Sequence, residues 1–133
     1  MAMLVVIDTN ILVSALWSKN GAPAALMSLV LNGVLVPCYD HRIMQEYREV
    51  LSRPKFVFSK GEVNALLDWI KHIGRSVVPP PLEIPFTDEA DKKFYEVAKY
   101  TGAPLVTGNR KHFPEDPQVE TVSDFLSGLR GGV

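Results

Sequence analysis

Residues 3–13 read MLVVIDTNILV, an apolar run that breaks at Asp8-Thr9-Asn10 and then resumes. A continuous apolar run of this kind is typical of a strand buried on both faces, as in a parallel sheet. In open parallel sheets, ligands bind outside the carboxyl ends of the strands. The stretch therefore predicts a buried first strand that ends on a carboxylate, Asp8, at the edge where such folds place their sites.

The rest of the chain alternates between strand and helix patterns, which predicts an α/β fold. Strands are predicted at residues 4–7, 34–36, 75–78, 104–107 and 119–122. Helices are predicted at residues 11–16, from Pro23 to Leu31, between Asp40 and Pro54, at residues 59–73, from a cap at Thr87 or Asp88 to Thr101, and from a cap at Ser123 to Leu129. We expect one domain over residues 1–133, a three-layer α/β/α sandwich around a central parallel sheet of four to five strands.

The composition limits the function classes. With 14 basic and 15 acidic residues, the chain has no overall positive charge, so a polyanion partner must be bound by a local basic patch or through metal ions. The single cysteine, Cys38, excludes an intrachain disulfide and a zinc cage. The sequence shows no secretory signal and no apolar run of membrane length, which predicts a cytoplasmic protein that does not associate with membranes.

Three acidic residues occupy positions at which a parallel sheet brings side chains to one rim. Asp8 follows the first strand, Glu46 lies on the helix after the second strand, and Asp91 lies in the first turn of the helix before the fourth strand. Each has an ordinary structural alternative. Asp8 could cap the next helix, Glu46 could be a surface glutamate beside the apolar stripe, and Asp91 could complement the helix dipole.

A polar loop follows the fourth strand at the same predicted edge. Residues 107–113 read TGNRKHF and supply a hydroxyl, an amide and three potential cations, which could receive a phosphate. The alternative is a solvated turn in which Gly108-Asn109 provides backbone freedom.

These residues together resemble the PIN domain family. The resemblance rests on VIDTNILVSA at residues 6–15, Glu46, Ala90-Asp91 with Ala98, and LVTGN at residues 105–109, and it spans nearly the whole chain. It is greatest to the prokaryotic single-domain group described as toxin components of toxin–antitoxin systems. The resemblance implies an endoribonuclease that depends on Mg²⁺ or Mn²⁺, a small antitoxin as partner, and a homodimer.

By position, the resemblance assigns the main acids of the site to Asp8, Glu46 and Asp91, as catalytic residues and metal ligands. Members of the family commonly carry a fourth acid after the Thr-Gly of the fourth strand, and here that position is Asn109. We expect Asn109 to orient a water molecule or a substrate oxygen. One missing negative charge would weaken the binding of a second metal ion.

Electrostatics supports this assignment independently of the resemblance. Three carboxylates that converge on one rim repel one another and raise one another's pKa unless a hard cation neutralises them, and oxygen ligands suit magnesium or manganese. The neighbouring polar residues Thr9, Asn10 and Thr107 are predicted to fix the carboxylate rotamers.

Two basic groups are candidates for contacts with the RNA backbone. Arg53, Lys55 and Lys60 lie on one predicted loop, and Arg110 and Lys111 lie on the loop after the fourth strand. Each could equally be a solvated surface charge. The two groups predict phosphate contacts on both sides of the acids.

Two other functions are compatible with parts of the pattern. Phosphohydrolases with an aspartyl nucleophile also open with an apolar strand and Asp-x-Asp, but Asn10 stands where their second Asp would be needed. A PIN-like module that binds RNA or protein without catalysis is the other alternative, and Asn109 is the residue that favours it.

Overall fold

A sheet of five parallel strands forms the centre of the protein. In the computed structural model, which describes residues 2–131, the strands are β1 (Met3–Ile7), β2 (Leu35–Tyr39), β3 (Arg75–Ser76), β4 (Leu105–Val106) and β5 (Val119–Glu120). The order across the sheet is β3-β2-β1-β4-β5, and every pairing is parallel. Residues 1, 132 and 133 of the predicted domain lie outside the described residues.

Helices connect the strands and flank the sheet, which confirms the predicted α/β architecture. They are α1 (Thr9–Trp17), α2 (Ala22–Leu31), α3 (His41–Leu51), α4 (Lys60–Ile73), α5 (Glu89–Thr101) and α6 (Val122–Gly131), with short 3-10 helices at Pro54–Phe56 and Arg110–His112. Within residues 2–131, no helix combines the length and apolarity that crossing a bilayer requires.

The strand order reverses at β1, and this reversal defines where a site forms. The chain proceeds from β1 to β2 and β3 on one side and then returns to place β4 and β5 on the other side. In open α/β sheets, the crevice at such a switch point lies at the carboxyl ends of the two strands that flank it. Asp8 directly follows β1, and Thr107 directly follows β4, so both residues lie at this crevice.

Burial of β1 explains why its sequence is continuously apolar. Val5, Val6 and Ile7 are fully buried, and α5 packs against β1, β2 and β4. Burial of apolar surface, worth ~25 cal/mol per Å², stabilises this central strand. The site lies at the carboxyl end of a strand that is packed on both faces.

Several predicted boundaries need correction. The second strand does not end at Val36 but continues through Pro37 to Tyr39, although proline lacks the N–H that a central strand normally donates. The third, fourth and fifth strands are shorter than predicted. Beyond two of them the pairing continues by single hydrogen bonds, from Val77 N to Tyr39 O and from Thr107 N to Glu120 O.

The helix caps follow the sequence with one exception. The side chains of Asp40, Ser59 and Asp88 accept backbone N–H groups at the starts of α3, α4 and α5. The prediction that Ser123 caps the last helix is wrong, because the Thr121 hydroxyl accepts the N–H of Asp124 at 3.1 Å. The Thr121 hydroxyl, two residues before Ser123, reaches the unpaired backbone N–H groups at the start of α6. Thr121 is free to do so because β5 ends at Glu120.

Candidate active site

Asp8 lies at the carboxyl end of β1 and is 5% exposed. Although it is the residue that precedes α1, its side chain makes no capping hydrogen bond to that helix, and the backbone N–H of Thr9 has only the smallest of the effects on its pKa, a lowering. Its Oδ2 atom instead accepts hydrogen bonds from Thr107 Oγ1 at 2.7 Å and from Asn10 Nδ2 at 3.4 Å. The capping alternative therefore does not describe the contacts of this carboxylate.

Hydrogen bonds tie the turn after β1 to the loop after β4. Thr107 Oγ1, which donates to Asp8, accepts the backbone N–H of Asn109 at 3.0 Å. Asn10 Oδ1 accepts the N–H of Gly108 at 3.2 Å. Thr107, after β4, and Asn10, in the first turn of α1, thus hold the Asp8 carboxylate from two elements, as expected for residues that fix its rotamer.

Glu46 lies on α3 with both carboxylate oxygens engaged. Thr9 Oγ1 donates to Oε2, and Lys93 Nζ lies 2.7 Å from Oε1. The next residue, Tyr47, is fully buried, and its hydroxyl donates to the carbonyl of Ile7 at the end of β1. This anchor places α3, and with it Glu46, beside the strand that carries Asp8.

Asp91 lies in the first turn of α5, next to the residue that caps that helix. Asp88 accepts the N–H of Ala90 at 3.0 Å, so the cap is already supplied by another acid. Asp91 Oδ2 is buried and accepts no hydrogen bond, although His112 Nδ1 lies 3.3 Å from it. A buried carboxylate oxygen without a donor requires an explanation, and a bound ion or water is the usual one.

The acids influence one another electrostatically. Burial raises the pKa of Asp8 to about 6, the charges of Asp91 and Glu46 also raise it, and the hydrogen bond from Thr107 opposes the shift. Burial raises the pKa of Asp91 as well, with the charges of Asp88 and Glu46 adding to the effect and His112 opposing it. A cation at this edge would relieve the cost of holding these carboxylates ionised.

The chemistry of the donors fits a hard divalent cation. Mg²⁺ is commonly bound by one or two carboxylates and keeps several water ligands, and Asp8 and Asp91 offer such oxygens. Among residues 2–131, no group of three or more His, Cys, Asp or Glu side chains is placed to hold an ion together. The predicted ligand set of Asp8, Glu46 and Asp91 therefore stays a prediction.

Lys93 is a residue of the site that the sequence did not reveal. Its contact with Glu46 joins α3 to α5, and such a long-range ion pair leaves no periodic signal in the sequence. Lys93 also lines a groove of about 470 Å³ beside the acids, together with Arg42, Gln45, Glu46, Glu49 and Glu89. Lys93 thus adds to this edge a cation that the sequence analysis did not place there.

The predicted RNA contacts lie on two exposed surfaces. Asn109, Arg110 and Lys111 are exposed on the loop after β4. Arg53 lies beyond the end of α3, where it pairs with Glu49 at 2.9 Å and lines a pocket of about 290 Å³ with Arg48 and Lys60. None of the described residues that line this pocket is acidic.

Lys55 and the aromatic residues beside the basic pocket form an exposed cluster. The Lys55 ammonium lies 5.1 Å from the centre of the Phe56 ring, and Phe56 stacks on Phe58. Trp17 packs edge-on against both rings and is 64% exposed. Aromatic rings beside cations are a combination found in sites for single-stranded nucleic acid.

Comparisons with known proteins identify the family of this fold. A sequence profile described as PIN domain matches residues 4–111. The chain belongs to the PIN domain family. PIN domains are typically nucleases that use divalent metal ions.

A relative and a solved structure show how far the likeness extends. An uncharacterized protein of Methanocaldococcus jannaschii, MJ1680, is 32% identical over 110 residues, which cover 80% of this chain and 70% of that protein. The crystal structure of PAE2754 from Pyrobaculum aerophilum superposes with a TM-score of 0.59 at 18% identity and covers 98% of this PIN domain and 99% of that chain. The second likeness shows the fold alone.

Proposed function

We propose that this PIN domain is an endoribonuclease that depends on Mg²⁺ or Mn²⁺ and hydrolyses phosphodiester bonds of RNA. The observation that carries the proposal is the buried Asp8 carboxylate, which caps no helix and lies within electrostatic reach of Asp91 and Glu46. A buried carboxylate beside two partly exposed ones is costly to ionise without a compensating positive charge. Asp91 Oδ2, which accepts no hydrogen bond, supports the proposal as a second oxygen that the same ion could use.

The chain's own residues would perform distinct tasks in this reaction. Asp8 and Asp91 would bind the cation directly, and Glu46 would complete its shell directly or through water. Thr107 and Asn10 keep the Asp8 carboxylate oriented, and Thr9 does the same for Glu46. When bound, the cation supplies Lewis-acid polarisation of the scissile phosphate.

Substrate positioning falls to the exposed polar groups around the acids. The Asn109 amide is placed to orient a substrate oxygen or a water, in the position where the family commonly carries an acid. Arg110 and Lys111 on one side, and Arg53 and Lys55 on the other, would neutralise backbone phosphates. Since the net charge of the chain is −1, these local contacts and the cation would carry the affinity for RNA.

The biological role that we propose is that of a toxin neutralised by a small antitoxin, with a homodimer as the active form. Both partners stay predictions. The feature that supports a protein contact is an apolar pocket of about 400 Å³ between α1, α2 and α4, remote from the acids, whose lining includes Leu16, Met27 and Leu66. Exposed Leu31 on the same pocket adds to this apolar surface.

RNA cleavage tests the proposed activity directly. We expect a labelled single-stranded RNA to be cleaved with Mn²⁺ or Mg²⁺ and to remain intact with a chelator. Asp8→Asn should lower the cleavage rate by roughly a hundredfold to a thousandfold, because it removes a charge that stabilises the transition state through the cation. Asp68→Asn, an equal change of charge on the exposed face of α4, is the matched control and should cleave normally.

A second candidate is a PIN domain that binds RNA without cleaving it. The observations that favour it are Asn109 at the position of the fourth acid and the engagement of Glu46 by Lys93. Saturable RNA binding with no cleavage in either metal, by a folded wild-type protein, would select this candidate over the nuclease.

A further inference from the structure

The ion pair between Lys93 and Glu46 occupies a place where a nuclease of this kind would hold metal. Lys93 Nζ lies 2.7 Å from Glu46 Oε1, and the Lys93 side chain is only 12% exposed. The other oxygen of Glu46 accepts the Thr9 hydroxyl. Glu46 therefore has a close partner on each oxygen, in contrast to Asp91, whose buried Oδ2 accepts no hydrogen bond and has only His112 Nδ1 beside it, at 3.3 Å.

The position of the Lys93 ammonium is fixed by its surroundings. It donates to the carbonyl of Ala90 in the preceding turn, and it lies 5.2 Å from the centre of the Phe94 ring, which is fully buried. A largely buried ammonium that loses its carboxylate partner would be strongly destabilised, so the pair resists separation. These contacts hold the Lys93 ammonium at Glu46, so Lys93 belongs to the site and is not a solvated surface charge.

The charges at this edge balance one divalent ion. Asp8, Glu46 and Asp91 contribute three negative charges and Lys93 contributes one positive charge, which leaves two negative charges to be neutralised when His112, 3.3 Å from Asp91, is uncharged. Asn109 adds no charge where a fourth acid would have allowed a second ion. Two metal ions of a phosphodiester hydrolase lie ~3.5 to 4 Å apart and would have to share carboxylates. Lys93 and the Thr9 hydroxyl already engage both oxygens of Glu46, which leaves no free oxygen for such sharing.

We propose that Lys93 is the resident second cation of the site and keeps Glu46 out of direct coordination, so that this PIN domain holds one divalent metal ion rather than two. The inference rests on the proposed nuclease function and specifies its metal centre. Lys93 also faces the groove of about 470 Å³ beside the acids. A lysine ammonium can contact a phosphate there as a point charge, which is the task that a second ion would otherwise perform.

Calorimetric titration of Mn²⁺ into the metal-free protein near neutral pH tests this proposal without any measurement of activity. We expect one Mn²⁺ per wild-type chain. Lys93→Met removes the ammonium, frees Glu46 for the ion and should lower the Kd for Mn²⁺ by about tenfold or more, because a like charge beside the cation disappears. Lys93→Arg keeps the charge and should leave one Mn²⁺ at the wild-type affinity within about threefold.

Lys92→Met is the matched control, since it removes the same charge from the same helix at a residue that makes no ion pair among the described residues. Lys93→Gln serves if Lys93→Met fails to fold, because its amide still donates to Glu46. Two Mn²⁺ ions per wild-type chain would overturn the proposal, as would equal Mn²⁺ affinities of Lys93→Met and Lys92→Met. No Mn²⁺ binding by the folded wild type would refute the proposed nuclease function itself.

Discussion

Asp8 and Asp40 occupy equivalent positions and do different things. Each follows a central parallel strand, each precedes a helix, and each is 5% exposed. Asp40 accepts the N–H of Ile43 at 2.9 Å and so caps α3, whereas Asp8 makes no such contact with α1. Position and burial alone therefore do not separate a structural acid from a functional one.

The partners of the two carboxylates separate them. Arg42 Nη2 lies 2.6 Å from Asp40 Oδ2, and Arg42 Nη1 lies 2.9 Å from Oε1 of the buried Glu96. Glu96 in turn accepts the N–H of Leu82 at 2.7 Å, which fastens the proline-rich loop to α5. Asp40 thus belongs to a network in which each charge has an opposite charge nearby.

Asp8 receives only uncharged donors, from Thr107 and Asn10, and shares its surroundings with two other acids. Its negative charge remains uncompensated within the protein. Of these two acids, the one available to a ligand is the one that neither caps a helix nor pairs with a cation.

The largest expected effect concerns Asp40. Asp40→Ala removes the cap of α3 and the partner of Arg42, so we expect the free energy of unfolding to fall by about 2–3 kcal/mol. Urea denaturation measures this change. Glu83→Ala, an exposed acid in the loop before α5, is the control and should stay within ~0.5 kcal/mol of the wild type. If the free energy of unfolding fell as little in Asp40→Ala as in Glu83→Ala, the structural role assigned to Asp40 would be wrong.

The second effect is a dependence of stability on pH that Asp8 causes. Folding raises its pKa from 3.8 to about 6, so the folded protein holds this proton to higher pH than the unfolded chain does. Without metal, the free energy of unfolding should therefore fall by about 2 kcal/mol as the pH rises from about 4 to about 6.

Asp8→Asn cannot titrate and should lose most of this slope, with the remainder due to Asp91, whose pKa burial also raises. The variant should consequently be more stable than the metal-free wild type at neutral pH and similar to it at acidic pH. Denaturation curves at several pH values provide the measurement. A wild-type slope that persists unchanged in Asp8→Asn would contradict the assignment.

A smaller effect is expected from the donor that orients Asp8. Thr107→Val keeps the shape of the side chain but removes the hydroxyl that donates to Asp8 at 2.7 Å. We expect metal affinity and RNA cleavage to fall by about tenfold, the lower end of effects seen for groups that orient metal ligands. Thr107→Ser should restore both, and Thr101→Val, at the end of α5, is the control. Full activity of Thr107→Val would show that Asp8 needs no such support.

The smallest effect concerns single phosphate contacts. Arg110→Gln or Lys111→Gln should weaken RNA binding only modestly, and each should reduce the slope of log affinity against log salt by about one. Lys19→Gln, at the opposite end of α1 from Asp8, should leave the slope unchanged. If the slope of log affinity against log salt were the same in all three variants, RNA would not contact the loop that carries Arg110 and Lys111.

The sequence predicted the parts of this fold that depend on local patterns. Apolar periodicity predicted the buried strand before Asp8 and the order of strands and helices. Polar residues at the helix starts predicted the caps at Asp40 and Ser59, because the first backbone N–H groups of a helix need acceptors. The length of β2 was wrong because Pro37 is tolerated inside a strand whose neighbours hold it. Local propensity does not contain that information.

The candidate site was predictable in its acids but not in their partners. The position of Asp8 at the end of an apolar run predicted that it lies at the edge of the sheet. The sequence could not show that its side chain does not cap α1. The ion pairs of Lys93 with Glu46 and of Arg42 with Glu96 join residues far apart in the chain, and only the packing of α3 against α5 brings them together. These pairs decide which carboxylates stay free, so the number of metal ions could not be read from the sequence.

Anomalous scattering from crystals soaked in Mn²⁺ tests the central claim most directly. The account predicts a single manganese peak per chain, ~2.0–2.3 Å from carboxylate oxygens of both Asp8 and Asp91, with Lys93 still on Glu46. Asp40 should have no peak beside it. A manganese ion away from Asp8 and Asp91, or no ion at a concentration that supports RNA cleavage, would contradict the account.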